Sequence, residues 1–289
     1  MISTTICGGL GNQLFMYATA RALSLKKKTD LFLNINTGFI NDIEYKRIYE
    51  LDNFNIKFKK NRLLTFDYPL GTFIQKVSKR VGFNLLCPWY KYYNDPTQNK
   101  DFDPILCNLK TDNLYIDGYW QSEKYFAEFE KEIRQDLQMN FEKSNLLIKE
   151  EKEIFDNPGT ETPICLGVRL YQECKHALSF EITQVDYYLK AMDYICKLVE
   201  NPVFYVFTQA KEWVSENIES CGKYKIKYVS EKPNSTIEDL YLMTKFRFHI
   251  ISNSSYYWWG AWLAKGEMVI SNNNFINKAT NCKEWIVIE

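Results

Sequence analysis

After residue 163 the chain alternates short apolar runs with amphipathic segments, and this alternation constrains the fold more than any other feature. The apolar runs have the length of buried strands, whereas the segments between them repeat apolar residues at helical spacing. Strands that alternate with helices form a parallel sheet wound with helices. The predicted strands are Ile164–Arg169, Val203–Thr208, Lys225–Val229, Phe248–Ser252 and Glu267–Ile270, and the predicted helices are Gln184–Glu200, Lys211–Ser220, Ile237–Lys245 and Ser255–Lys265.

The first half of the chain is less regular but begins with a β-α-β pattern. The region between residues 40 and 110 is rich in aromatic residues, and we interpret it as helices and loops. The elements predicted outside it are the strands Thr4–Cys7, Asp30–Asn36 and Asn113–Asp117, a helix from about Gln13 to Lys27, and a helix over Ser122–Gln138.

A stretch rich in helix and strand breakers, Asp156–Pro163, separates the two halves. We therefore expect an N-terminal α/β domain over residues 1–158 and a C-terminal one over residues 159–289. Ligand sites in such proteins favour a cleft between domains and the carboxyl ends of parallel strands.

Composition and charge exclude several classes of protein. A chain of 289 residues with 46% hydrophobic residues buries a core, so general disorder is excluded. Lys and Arg total 36, as do Asp and Glu, and this balance argues against a general polyanion binder. No run approaches the roughly 18 apolar residues of a membrane span, and the N-terminus lacks the pattern of a secretion signal. We expect a cytoplasmic protein with reduced thiols; a basic patch around Gln75–Arg80 leaves peripheral contact with the inner face of the membrane open.

Three glycines lie between the first predicted strand and the first helix, in the sequence Gly8-Gly9-Leu10-Gly11-Asn12-Gln13. Glycines let the backbone turn tightly and bring N–H groups close to an anion at a helix N-terminus. Leu14 stands where a dinucleotide fingerprint needs glycine, and no Lys-Ser/Thr pair of a Walker loop follows. A structural turn and a ligand-binding loop are equally compatible with this pattern.

Two further segments follow predicted strands in the second half. Arg169 ends the first of these strands, where a guanidinium can hold a diphosphate; the alternative is a surface arginine paired with Glu173. Ser252-Asn253-Ser254-Ser255 opens the last predicted helix, and its hydroxyls with the helix N-terminus form a phosphate cradle. The alternative there is ordinary N-capping.

Metal and acid–base chemistry have few candidate residues. The triplet Asp101-Phe102-Asp103 is a D-x-D pattern, but it lies in a loop with no clear strand before it, and no Cys-x-x-Cys pair occurs. His249 lies inside a predicted buried strand, which is typical of a core histidine, whereas His176 lies in a loop after Arg169 and is a weak acid–base candidate.

Together these segments resemble the α-1,2-fucosyltransferases of glycosyltransferase family 11. Four blocks carry the resemblance in matching order and spacing, and they are GGLGNQLFMYATARALS (8–24), DGYWQSEKYF (117–126), FTQAKEWVSENI (207–218) and EDLYLMTKFRFHIISNSSYYWWGAWL (238–263). The resemblance runs across most of the chain, and its first and last blocks are specific to the family.

The resemblance implies an α/β, GT-B-like fold in which two Rossmann-like domains face each other across a cleft. It implies inverting transfer of L-fucose from GDP-β-L-fucose to the 2-hydroxyl of a galactoside in a glycan, without a metal or other cofactor. Arg169 matches the arginine expected to grip the diphosphate and is the implied catalytic residue. The implied substrate-binding residues are Gly9, Gly11, Asn12, Gln13, Gly167, Gln209, Asn253, Ser254 and Ser255.

The chain departs from the family pattern at the nucleotide site. The family motif H-x-R-R-G-D is replaced by Gly167-Val-Arg-Leu-Tyr-Gln172, and F-S-D-D is replaced by Phe207-Thr-Gln-Ala210. In related enzymes the lost His and an Asp help to hold guanine, and each charge-assisted hydrogen bond contributes about 1.5–3 kcal/mol. The amides of Gln209 or Gln172 can read a purine edge instead. Two alternatives stay open, namely a different nucleotide-sugar donor and a relative that binds glycan or nucleotide without turnover.

Overall fold

The computed structural model of the protein describes residues 1–40, 42, 45–59, 91–156, 159–170, 183–230, 232, 235–275 and 277–288. The chain divides into two compact units. The first contains Met1–Phe141 with Asn277–Thr280, and the second contains Glu142–Ile276 with Asn281–Glu289. Each unit has its own parallel sheet.

The division falls after Phe141, whereas the breaker-rich stretch predicts it after residue 158. The polar contacts of Ser144 and Glu150 explain why the intervening residues belong to the second unit. Ser144 N and Oγ donate to the two carboxylate oxygens of Glu238, at 3.0 and 2.9 Å. Glu150 accepts a hydrogen bond from Ser230 N and pairs with the buried ammonium group of Lys232, both at 2.8 Å. The breaker-rich stretch therefore connects elements within the second unit.

The first unit is built on four parallel strands in the order β2-β1-β4-β3. Its strands are β1 (Ile2–Thr5), β2 (Leu31–Asn34), β3 (Lys91–Asn94) and β4 (Leu114–Asp117), and its described α-helices are α1 (Leu10–Lys26), α2 (Pro104–Asn108) and α3 (Glu130–Asp136). The buried carboxylate of Asp136 joins α3 to α1, because Tyr17 Oη and Arg21 Nε both donate to its Oδ2, at 2.9 and 2.7 Å.

Two segments of the first unit differ from the prediction. The helix predicted over Ser122–Gln138 is broken into two 3₁₀ turns, Glu123–Tyr125 and Ala127–Phe129, before α3 begins. The break lies at Phe126, whose φ of −134° and ψ of 3° are not helical and whose fully buried ring packs 6.3 Å from Phe15. Strand β3 is not predicted, since it lies in the region that we interpret as helices and loops. It is a partly exposed edge strand, so its sequence lacks the alternation of buried and exposed residues that indicates a strand.

The second unit is built on six parallel strands in the order β10-β9-β8-β5-β6-β7. The strands are β5 (Thr162–Val168), β6 (Pro202–Thr208), β7 (Lys225–Tyr228), β8 (Phe248–Ile251), β9 (Met268–Asn272) and β10 (Ile286–Ile288). The α-helices are α4 (Asn145–Glu151), α5 (Val185–Leu198), α6 (Lys211–Asn217), α7 (Ser235–Met243) and α8 (Ser255–Ala264). The chain winds from β5 through β6 to β7 and then returns to β8 on the other side of β5, so the topological switch point lies between β5 and β8.

The core of the second unit explains why its elements follow the predicted pattern closely. Strands β5 and β8 are buried on both faces, and α5 packs one apolar stripe against them. Such elements leave a clear periodic signal in the sequence. Strand β10, which is not predicted, is only three residues long and lies at the edge of the sheet.

Two further findings concern membranes and thiols. Among the helices of the described ranges, none combines the length and the apolar character that crossing a bilayer requires. The six cysteines within the described ranges are free thiols.

His249 lies in the core at the centre of β8, as expected. Its side chain is fully buried, and Nε2 donates to the main-chain oxygen of Met243 at 2.9 Å, whereas Nδ1 has no partner in the described part of the chain. Burial lowers the pKa of His249 to about 4. The imidazole is therefore neutral at pH 7.

We expect His249 to make the protein sensitive to acid. Between the usual histidine pKa of 6.5 and the folded value of about 4, the unfolded chain binds a proton that the folded chain does not. Stability is therefore complete above pH 6.5 and falls as the pH is lowered towards 4, by about 3 kcal/mol. Denaturant unfolding at pH 7 and pH 4 measures this loss. In the His249→Gln variant, which keeps a donor for Met243 and does not titrate, the loss should be smaller by that amount, and equal losses would contradict the assignment.

Candidate functional site

The register of the second sheet brings the predicted site residues of this unit to one edge. Val168 pairs with Thr208, and Gly167 pairs with Ile251, so β5, β6 and β8 end side by side. Arg169 follows the end of β5, Gln209 follows the end of β6, and residues 252–255 follow the end of β8. We call the carboxyl ends of these strands and of β9, with the residues that follow them, the carboxyl edge.

Arg169 and Gln209 are in direct contact at the carboxyl edge. Arg169 Nη1 donates a hydrogen bond to Gln209 Oε1. A guanidinium has only donors, so the amide oxygen of Gln209 must face it and the amide Nε2 must point away. The edge therefore presents the donors of Arg169 together with the N–H groups of Gln209, which suits a ligand with acceptor oxygens.

Two buried tyrosines tie neighbouring strands together in pairs near the carboxyl edge. Tyr257 Oη lies 2.8 Å from the carbonyl oxygen of Phe207 and 3.2 Å from that of Val168, so it bridges β6 and β5. Tyr187 Oη lies 2.7 Å from the carbonyl oxygen of Ile251 and 3.1 Å from that of Ile270, so it bridges β8 and β9. Burial raises the pKa of both hydroxyls well above the usual value of 10, and each remains a donor.

Neither tyrosine is among the substrate-binding residues that the family resemblance implies. A buried tyrosine hydroxyl needs a hydrogen-bond partner, and this is the one sequence signal that points to such a role. The sequence pattern does not indicate which carbonyl group accepts the bond.

Gly167 has no side chain to offer a ligand. It is buried within β5, and its carbonyl oxygen accepts a hydrogen bond of 3.1 Å from Ser252 N. It thus connects the end of β5 to the turn that begins after β8.

The turn at residues 252–255 is held by side chains of neighbouring segments. Asn253 Nδ2 donates to the carbonyl oxygen of Asn274 at 2.7 Å, so this amide stabilises the turn. Thr183 Oγ1 accepts hydrogen bonds from Asn253 N and from Asn272 Nδ2, at 3.3 and 2.8 Å. Ser254 is the N-cap residue of α8 but makes no side-chain capping bond. Ser255 is the first residue of the helix, so the start of α8 lies at the carboxyl edge.

The amide of Gln13 in the first unit is fully engaged with the main chain. Gln13 is buried; its Nε2 donates to the carbonyl oxygens of Gly8 and Ile48, at 2.9 and 2.8 Å, and its Oε1 accepts from Glu50 N at 3.0 Å. The side chain therefore fastens the segment around Ile48 to the glycine loop.

The other three predicted residues of the loop have different surroundings. Gly9 is the N-cap of α1, and Gly11 is buried in its first turn. Asn12 Oδ1 accepts a hydrogen bond of 2.7 Å from Gln121 Nε2, so its amide joins the loop to the segment after β4. A cation not singled out by the sequence lies nearby, since the exposed guanidinium of Arg47 would be 3.8 Å from a Cβ atom at Gly9.

The D-x-D carboxylates have structural partners. Asp103 is the N-cap of α2, accepting from Ile105 N at 2.9 Å, and it also accepts from Tyr93 Oη at 2.5 Å. Asp101 Oδ1 accepts a hydrogen bond of 2.7 Å from Phe102 N. No group of three or more metal-ligating side chains occurs among the described residues. His176, Gln172 and Glu173 lie outside them, as does the basic patch around Gln75–Arg80.

A cavity of about 420 Å³ in the second unit lies apart from the predicted site residues. It is lined by Lys143, Ile148, Glu151, Lys152, Phe155, Asp156 and Lys245. These residues belong to the segment just before α4, to α4 itself, to the turn after it and to the segment that follows α7. The lining includes no residue of the carboxyl edge.

Comparison with known proteins gives matches along the whole chain. The family model described as glycosyl transferase family 11 matches residues 1–289. An α-1,2-colitosyltransferase of Escherichia coli is 27% identical over 311 residues, covering 100% of this chain and 99% of that protein. The O-antigen biosynthesis glycosyltransferase WbnK of Escherichia coli is 29% identical over 282 residues, covering 89% and 88% respectively.

Solved structures share the fold at low identity. A mutant of Arabidopsis thaliana FUT1 in complex with GDP aligns with a TM-score of 0.54 at 11% identity, over 92% of this chain and 68% of that chain. NodZ α-1,6-fucosyltransferase, soaked with GDP-fucose, aligns with a TM-score of 0.51 at 11% identity, over 91% and 92%. These alignments confirm the expected GT-B-like α/β fold class.

We expect replacement of Gln13 to lower the free energy of unfolding, because its buried amide pairs three main-chain groups. In the Gln13→Met variant the two carbonyl oxygens and the N–H group that it pairs lose their partner in a buried place, which should cost about 3 kcal/mol or more. Denaturant unfolding measures this cost. Gln135→Met, on the exposed surface of α3, is the matched control and should stay within about 0.5 kcal/mol of the parent protein. Equal stability of the two variants would contradict the structural role.

Proposed function

Because this chain belongs to glycosyltransferase family 11, whose model matches residues 1–289, we propose that it transfers L-fucose from GDP-β-L-fucose to the 2-hydroxyl of a galactoside. It is a glycosyltransferase related to fucosyl- and colitosyltransferases. The proposal adds the donor, the linkage and the acceptor hydroxyl. An α-1,2 linkage is also in the name of the colitosyltransferase relative.

The observation that carries the proposal is the position of Arg169 on the carboxyl edge. Arg169 follows β5, and its guanidinium is hydrogen-bonded to the amide of Gln209, which follows β6. Ser254 is the N-cap residue of α8, but its hydroxyl makes no capping bond. A leaving GDP carries its negative charge on the diphosphate. A guanidinium and a helix N-terminus are groups that bind such charge, and they stabilise it most as it develops in the transition state.

The proposed reaction is a single in-line displacement with inversion. The acceptor 2-hydroxyl attacks C1 of the sugar, the bond from C1 to the diphosphate oxygen breaks, and the new glycosidic bond forms on the opposite face. The hydroxyl proton reaches the leaving diphosphate through water, because the two groups lie on opposite faces of the sugar. Arg169 and the start of α8 would stabilise the leaving charge, so the proposal needs no metal or other cofactor.

Gln209 is the proposed contact to the nucleobase. Its Oε1 is held by Arg169, so its Nε2 supplies donors. Guanine offers acceptors at O6 and N7. This replaces the carboxylate contact of the family pattern by a contact of opposite polarity. Asn253, Ser254, Ser255 and Gly167 complete the proposed donor site, and Gly9, Gly11, Asn12 and Gln13 are the proposed residues of the first unit.

A second donor is favoured by one comparison. The colitosyltransferase relative matches this chain over its full length. Colitose is fucose without the 3-hydroxyl, so a site for one sugar differs from a site for the other by a single polar group.

By analogy with the O-antigen enzyme WbnK, we further propose that the product is a bacterial surface polysaccharide. It would be assembled in the cytoplasm, with the enzyme peripheral to the inner face of the membrane.

Calorimetric titration with GDP, UDP and ADP tests the nucleotide assignment. We expect GDP to bind at least about tenfold more tightly than the other two, because only guanine has two neighbouring acceptors on its N7 edge. A chelator should leave the affinity unchanged. Preference for another nucleotide would overturn the donor, and absence of binding to all three would favour a relative without turnover. GDP-fucose and GDP-colitose, assayed side by side with galactosides, then separate the two sugars.

The role of Arg169 is tested by kinetics. In the Arg169→Ala variant kcat/KM should fall about 100-fold or more, since one preorganised cation is lost from the leaving group. Arg247→Ala is the matched control, because Arg247 is an exposed arginine of the same unit paired with Glu267 at the other end of β8, and its activity should remain within about twofold of the parent. Retention of most activity by Arg169→Ala would overturn the mechanism.

A further inference from the structure

Tyr257 occupies the space that a side chain at position 167 would need. A Cβ atom built on Gly167 would lie 2.6 Å from Tyr257 Cγ and 2.9 Å from both Cδ atoms of the ring. Real Cβ contacts are not that short, so the ring and a side chain at position 167 exclude each other. In this chain Gly167 stands where the family pattern has histidine, and an aromatic ring from α8 packs against this position.

The hydroxyl of Tyr257 reaches further, to the last carbonyl group of β5 and the second-last of β6. It lies 2.8 Å from the Phe207 oxygen and 3.2 Å from the Val168 oxygen. The tyrosine side chain is 6% exposed, so water does not replace these bonds at low cost. Val168 immediately precedes Arg169, and Phe207 is two residues before Gln209.

Holding these two carbonyls controls the direction in which the chain leaves each strand. The main-chain ladder between β5 and β6 ends at the pair Val168 and Thr208. Beyond that pair, the Tyr257 hydroxyl and the contact between Arg169 and Gln209 are the described links between the two exits. The guanidinium can meet a diphosphate in a fixed place only if the exit of β5 is itself fixed.

We propose that Tyr257 is a positioning residue for the nucleotide diphosphate, which sets Arg169 and Gln209 by tying the exits of β5 and β6 through a ring that requires glycine at position 167. This inference rests on the proposed function, because the positioned group is the donor diphosphate. Tyr257 acts through Arg169 and touches no reacting atom.

The test compares two neighbouring tyrosines of α8. Tyr257→Phe keeps the ring and removes the hydroxyl that ties the strand exits. Tyr256→Phe removes a hydroxyl that also donates to a main-chain oxygen of this unit, that of Thr236 at 2.6 Å. We expect the GDP dissociation constant and the donor KM of Tyr257→Phe to rise about fivefold or more, which corresponds to the loss of one buried hydrogen bond. Tyr256→Phe should stay within about twofold of the parent protein in both quantities.

Thermal unfolding of both variants separates positioning from a purely structural role. If Tyr257→Phe loses thermal stability like Tyr256→Phe but binds GDP as the parent does, the inference is overturned and the proposed function stands. If the parent protein itself binds no GDP, the proposed function has failed, and the pairing of Gly167 with Tyr257 is then judged by stability alone.

A double-mutant cycle provides that judgement. Gly167→Ala should lower Tm by about 3–10 °C, because the added methyl group meets the ring. The same substitution in a Tyr257→Ala background should lower Tm by no more than about 2 °C further, since the ring is gone. Equal losses in both backgrounds would overturn the pairing.

Discussion

The carboxyl edge of the second unit depends on hydrogen bonds that two buried tyrosine hydroxyls donate to main-chain carbonyls. A parallel sheet ends in carbonyl groups that no further strand residue pairs, and such groups are costly to bury unsatisfied. Tyr257 supplies a donor to carbonyls in the last two residues of β5 and β6, and Tyr187 supplies one to the last carbonyl of β8 and to that of Ile270 within β9. These bonds allow polar loops to leave a closely packed core in defined directions.

The polarity of this edge follows from the same arrangement. Arg169 turns the oxygen of Gln209 towards itself, so both side chains present donors, and the start of α8, whose N-cap Ser254 makes no side-chain cap bond, lies at the same edge. An edge of donors binds an anion and binds it more strongly as negative charge increases. The proposed transfer from a nucleoside diphosphate sugar would require this polarity. The buried His249 contributes no charge, because its pKa of about 4 keeps it neutral.

How much of the fold could be predicted depended on burial. Elements buried on both faces, such as β5 and β8, or packed along one stripe, such as α5, have sequence periods that report their geometry. The prediction was wrong at Ser122–Gln138, where burying Phe126 takes precedence over helical backbone. It also missed β3 and β10, which are short edge strands with little buried surface to shape their sequences.

The sequence by itself determined the family and the order of strands and helices, and therefore that Arg169, Gln209 and residues 252–255 all follow strands of one sheet. The tertiary structure decided which of the polar side chains form hydrogen bonds within the protein. The amide of Gln13 is engaged by Gly8, Ile48 and Glu50, and that of Asn253 by Asn274. It also showed that Tyr257 occupies the place beside Gly167. The physical reason is that periodicity reports whether a residue is buried, whereas a hydrogen-bond partner is chosen by residues distant in sequence that only folding brings within 3 Å.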